Sequence, residues 1–120
     1  MRFAGYAAIF GHPDRGGDII RKGAFRRSAR AGLPLLWQHD RSQRIGFVES
    51  LTEDDRGLRI IASVDDNAGH RVTAGSGLSF GYRVQAMERR SYRILKDLDL
   101  IEISVVTNPM QPLARVLAVE

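Results

Sequence analysis

The sequence has no cysteine. That excludes disulfides, a thiol nucleophile and zinc–thiolate sites. Long apolar runs are also missing, and none approaches membrane-spanning length. The opening Met1–Tyr6 carries no signal-peptide h-region. Histidine is scarce: only His12, His39 and His70 occur, without H-x-H or H-x-x-x-H spacing, so no metal site is expected. No phosphate-cradling P-loop, internal repeat or low-complexity segment is present.

What is present fits a globular protein. The 120 residues suit one domain, 1–120, with 43% hydrophobic and 27% charged residues. The net charge is +4. Its basic residues are spread along the chain, with pairs at Arg26-Arg27 and Arg89-Arg90, and no aromatic ladder interleaves with them. A generally basic surface, open to an acidic protein partner, is expected over a dedicated nucleic-acid groove.

Hydrophobic patterning predicts mostly strands. Phe3–Phe10, Ile19-Ile20 and Leu33–Trp37 read as strands, and Gly23–Ala31 as a short basic helix stopped by Gly32 and Pro34. Arg41–Arg44 reads as a polar turn. Ile45–Leu51 and Leu58–Val64 form a hairpin around a polar loop closed by Gly57. Asp65-Asp66-Asn67 can cap a short helix through Thr73. Tyr92–Asp97 and Leu98–Thr107 read as two further strands, the second ended by Asn108-Pro109. In that strand, period-two alternation puts Leu98, Leu100, Glu102, Ser104 and Val106 on one face. Leu113–Val119 reads as a closing strand or a short helix. The sum is a mainly β (α+β) domain, a closed or partly closed β-barrel of about seven strands with a few short helices.

The stretch Gly77-Leu78-Ser79-Phe80-Gly81 places a serine between glycines ahead of an alternating strand. It reads either as an exposed nucleophile or as a strand with small residues for packing. A nucleophilic serine needs a base. All three histidines precede Ser79, whereas the α/β-hydrolase elbow needs its histidine after the serine, so that match is accidental. His39, at the end of an apolar strand, is the candidate base; its other reading is a strand-end histidine bonded to a turn. His12 and His70 are expected at the surface. Glu102 interrupts the most apolar strand and must be paired or solvated, by orienting an imidazole or by pairing with an arginine. His12, Asp14, Asp18, His39 and Asp40 could meet in space, but no spacing demands it.

Taken in order, these landmarks resemble the prohead maturation proteases of tailed phages and related gene-transfer particles. They are G-Y-A-A-I-F-G, G-D-I-I-R-K-G-A-F, L-L-W-Q-H-D, I-G-F-V, G-L-R-I, G-L-S-F-G-Y-R-V and L-I-E-I-S-V-V-T-N-P with a trailing A-R-V. They run from Gly5 to Val116. That family is similar to herpesvirus assemblin, so the resemblance implies an assemblin-like fold and a serine endopeptidase of capsid assembly. It implies Ser79 as nucleophile, His39 as base and Glu102 as the third member. It also implies scaffold, as a segment of the major capsid protein or as a scaffolding protein, for substrate. The setting implied is the assembling prohead in the bacterial cytoplasm. No cofactor, membrane or specific nucleic acid is called for. Assemblins act as pairs, which implies a homodimer, although no apolar seam marks one. Asp65–Ser76 is shorter than the helical segment of the relatives. The alternative reading is a non-catalytic capsid-assembly or scaffold-binding module of the same fold.

Overall fold

The computed structural model describes all of residues 1–120. It contains eight strands: β1 (Arg2–Ile9), β2 (Asp18–Ile20), β3 (Pro34–Trp37), β4 (Asp40–Glu53), β5 (Gly57–Val64), β6 (Gly77–Arg89), β7 (Arg93–Val106) and β8 (Val116–Val119). A 3₁₀ turn spans Asp66–Arg71, and the side chain of Asp65 does not cap it. The strands join in the order β2-β7-β3-β4-β5-β1-β8, and β6 pairs with β7. The fold is therefore mainly β, as expected.

The ladder does not close into a barrel. Between β8 and β6 no strand ladder forms: one isolated bridge, Gly77 to Arg115, and a few backbone hydrogen bonds join residues 75–78 to 114–116. β8 has only four residues, and the chain before it is a turn closed by the Ala114 N–H on the Gln111 carbonyl. No helix is long and apolar enough to cross a membrane.

The core gathers 23 buried residues, including Phe3, Phe25, Leu35, Ile60 and Leu78. Strand β7 enters it with a broken rhythm: Leu95, Leu98, Leu100, Ile103 and Val105 are core residues. The break between Leu100 and Ile103 has a cause. Gly81 of β6 pairs with Glu102, while the next residue, Tyr82, pairs with Leu100. Ile101 is thus the extra residue of a β-bulge, and a bulge re-aims the side chains beside it. The face assignment by strict alternation fails here. Past the bulge, Ile103 and Val105 take the core face, and Glu102 and Ser104 turn away from the face of Leu98 and Leu100.

Three segment assignments are corrected. Gly23–Ala31 forms successive turns instead of a helix. The Ala24 carbonyl, which an α-helix would give to the Ser28 N–H, accepts from Leu98 N–H instead, and the Ser28 hydroxyl donates to the Leu98 carbonyl. Tertiary bonds to β7 thereby outcompete the helical ladder. Arg41–Arg44 is strand, and the chain reverses earlier, at Gln38-His39. Tyr92–Asp97 and Leu98–Thr107 merge into one strand, because β6 pairs along its whole length and absorbs the irregularities as bulges.

The turns after β2 depend on a distant carboxylate. Glu53, at the end of β4, accepts from the N–H groups of Gly23 (2.5 Å) and Phe25 (3.0 Å). Phe25 is fully buried. Glu53→Ala leaves both donors without a partner and is expected to cost about 1–3 kcal/mol. Urea unfolding checks it: the midpoint falls with little change in m-value, and an unchanged midpoint contradicts this role for Glu53.

Candidate active site

A buried carboxylate needs partners, and Glu102 has two. The residue is 7% exposed. Its Oε1 lies 2.5 Å from Nδ1 of His39, and its Oε2 accepts a hydrogen bond from the Ser104 hydroxyl at 2.6 Å. Space for the carboxylate comes from Gly81, the residue opposite Glu102 in the ladder. A Cβ on Gly81 would stand 2.5 Å from Oε1. Gly77, at the other end of the G-L-S-F-G stretch, is as constrained: a Cβ there would stand 2.7 Å from the Val106 carbonyl oxygen. Both glycines admit close approach of neighbouring groups.

His39 reaches Glu102 from an unusual backbone. Gln38 and His39 both have positive φ, 54° and 60°, and they form the two-residue turn between paired Trp37 and Asp40. Such turns favour asparagine and glycine, and left-handed backbone costs other residues about 1–2 kcal/mol each. Bonds to β7 and the segment after it hold this turn. Gln38 N–H donates to the Val105 carbonyl at 2.9 Å, and His39 N–H donates to Ser104 Oγ at 3.1 Å. The Gln38 side chain donates to Thr107 Oγ1 at 3.0 Å and accepts from Thr107 N–H at 3.1 Å. The strained turn is fixed by four tertiary hydrogen bonds, so the imidazole is held in place before any ligand arrives.

The hydrogen bond that His39 gives to Glu102 pushes the His39 pKa above its ordinary value; partial burial opposes this and the Glu102 charge adds to it. A raised histidine pKa stabilises the fold fully below about pH 6.5. The contribution fades as the pH rises through His39's own, higher pKa.

Ser79 is half-buried on β6 and lies directly opposite Ser104. Residues opposite one another in an antiparallel pair present side chains to the same face. Ser79 therefore shares a face with the serine on which the His39 backbone rests. Ser79 and His39 border the same cavity, of about 140 Å³. No hydrogen bond joins them. With Nδ1 committed to Glu102, Nε2 is the ring nitrogen left to meet a hydroxyl.

His12, Asp14 and Asp18 line this cavity too, with Ile9, Ile20 and Tyr82. Asp18 is buried and binds the Arg93 guanidinium with both oxygens, at 2.7 and 2.8 Å. Burial first, and then the charges of Asp18 and Asp14, push the Tyr82 phenol upward. Asp40 points elsewhere and caps the backbone of Ser42. His70 is exposed on the 3₁₀ turn. Of the residues that could meet in space, His12, Asp14, Asp18 and His39 do and Asp40 does not, and sequence reasoning missed Gln38, Tyr82 and the part played by Ser104. Only Ser104 left a signal, two residues after Glu102 in an apolar strand.

The histidine NMR titration of His39 is expected to have its midpoint above about 6.5. Glu102→Gln should bring it down towards that value. Gly81→Ala should do the same by displacing the carboxylate, and should lower the melting temperature. A His39 midpoint unmoved by both substitutions contradicts the pairing.

The family model described as caudovirus prohead serine protease matches residues 1–120. A curated relative is the prohead protease of Enterobacteria phage HK97, 28% identical over 134 aligned positions. That alignment covers 98% of this chain but only 60% of the relative's length. The family match spans the whole chain and agrees with the landmarks, and the chain belongs to the caudovirus prohead serine protease family.

Proposed function

We propose that residues 1–120 form a single serine endopeptidase domain that acts in capsid maturation. The observation that carries this reading is the pairing of His39 with the buried Glu102 at the edge of a cavity that Ser79 also borders, in a chain of this family. Ser79 is the nucleophile, His39 the base and Glu102 the orienting carboxylate. Ser79 Oγ attacks the substrate carbonyl carbon while His39 Nε2 takes its proton. Glu102, fixed by Ser104, holds the imidazole through Nδ1 and stabilises its cationic form. The C–N bond then breaks, and the imidazolium returns the proton to the leaving amine. Water, activated by the same imidazole, releases the acyl group from Ser79. The chemistry needs no cofactor. Backbone N–H groups must stabilise the oxyanion. Thr107 N–H is already given to Gln38, which favours the amides near Ser79-Phe80.

The substrate in this reading is scaffold: the scaffold segment of the major capsid protein, or a scaffolding protein. Cleavage takes place inside the assembling prohead, in the bacterial host. A homodimer, as in assemblins, belongs to the same reading. Glu102 also gives a pH signature. The base must be neutral to accept a proton, so the acid limb of kcat/KM should lie above pH 6.5 and move down in Glu102→Gln.

Co-expression with the cognate major capsid protein tests the reading by intact mass. Wild type should remove a discrete terminal segment, and Ser79→Ala should leave the protein whole. Cleavage by both would remove Ser79 from its role. Cleavage by neither, with normal assembly, would favour a scaffold-binding module.

A further inference from the structure

The hairpin of β6 and β7 continues well beyond the site. From Ser79 to Glu88 the backbone of β6 bonds only to β7, and its outer edge has no backbone partner. Natural sheets rarely leave such an edge bare, because unpaired N–H and C=O groups template the addition of another strand. The side chains here are not neutral. Residues 83–99 hold five basic side chains, Arg83, Arg89, Arg90, Arg93 and Lys96, against three acidic ones, Glu88, Asp97 and Asp99, the last directly opposite Arg83 in the ladder. Arg93 is spent on Asp18, Arg90 on Glu88, and Asp97 is taken by Arg27. Arg83, Arg89 and Lys96 form no ion pair. Val84 and Met87, on the same strand, are 37% and 38% exposed. An unpaired edge, an excess of positive charge and exposed apolar side chains thus coincide on one short stretch.

We infer that the β6 edge over Arg83–Arg89 is an exosite that takes up an extended, acidic segment of the protein that is cut, as an added strand. Backbone pairing gives affinity without sequence demands, and side chains on the edge give selectivity. Arg83 and Arg89 select for acidic residues, while Val84 and Met87 accept apolar ones. Arg83 lies four residues from Ser79 and Arg89 ten, which along a strand is roughly 13–33 Å at about 3.3 Å per residue. The exosite therefore holds substrate at a distance from the bond that reacts. Charge also argues against a second copy on this edge. Two β6 strands side by side would set Arg83 and Arg89 among their own like charges, which destabilises cross-strand pairs.

The cut itself rests on the proposed endopeptidase reading, so the test measures binding apart from cleavage. The probe is a labelled synthetic peptide of glutamate alternating with valine or threonine, and the readout is fluorescence anisotropy with Ser79→Ala protein. Binding should weaken by about tenfold or more in the added double variant Arg83→Glu/Arg89→Glu. It should survive in Arg83→Lys/Arg89→Lys, and a peptide N-methylated on alternate residues should bind poorly. Circular dichroism confirms that each variant is folded. In wild type, an acidic tract added to a cleaved peptide should lower KM and leave kcat alone. Equal binding of a lysine-for-glutamate peptide, or indifference to charge reversal or N-methylation, would overturn the exosite. So would tighter binding of a single-stranded oligonucleotide, or a dimer in sedimentation that Arg83→Glu/Arg89→Glu dissolves. Loss of cleavage with binding intact would count against Ser79 instead, and leave the exosite standing.

Discussion

The burial of Glu102 is the constraint on which the site depends. A carboxylate removed from water must be met by donors, and the surrounding chain supplies them. Ser104 donates to one oxygen and His39 is bonded to the other. Gly81 has no side chain because the carboxylate fills that space. The bulge at Ile101 turns Glu102 off the core face that Leu98 and Leu100 define. The left-handed backbone of Gln38-His39 brings the imidazole to the carboxylate. Each is an unfavourable or unusual local choice, and each is explained by one buried acid.

Ser104 connects the two halves of this arrangement. Its hydroxyl accepts from the His39 backbone and donates to Glu102. The turn that carries the imidazole and the carboxylate that orients it are therefore tied to one side chain. Ser104 also stands opposite Ser79 in the ladder. A small residue at that position leaves room for both hydroxyls. The paired strands β6 and β7 are thus more than a scaffold: β7 carries the acid and β6 the serine, and their register sets the spacing between them.

Much of this was legible in the sequence, for physical reasons that differ from element to element. The β4–β5 hairpin was clear because its apolar runs flank a polar loop closed by Gly57. Glu102 stood out because charge is costly in an apolar strand, and His39 because it ends one. The His39 turn was not legible, since Gln38-His39 lacks the Asn-Gly or Asp-Gly pair that marks most two-residue hairpin turns, and tertiary bonds to β7 impose it. The helix expected over Gly23–Ala31 failed for a related reason: the Ala24 carbonyl and the Ser28 hydroxyl found partners on β7. The bulge at Ile101 left no mark either, because isoleucine fits a regular strand equally well. Closure of the barrel was inferred from strand count, which does not register how short β8 is.

The most direct test of the account is labelling with a fluorophosphonate, which reacts only with an activated serine, followed by peptide mapping. The account predicts a single adduct on Ser79, lost in His39→Ala and slowed in Glu102→Gln. An adduct on another serine, or labelling of Ser79 that ignores both substitutions, would contradict it.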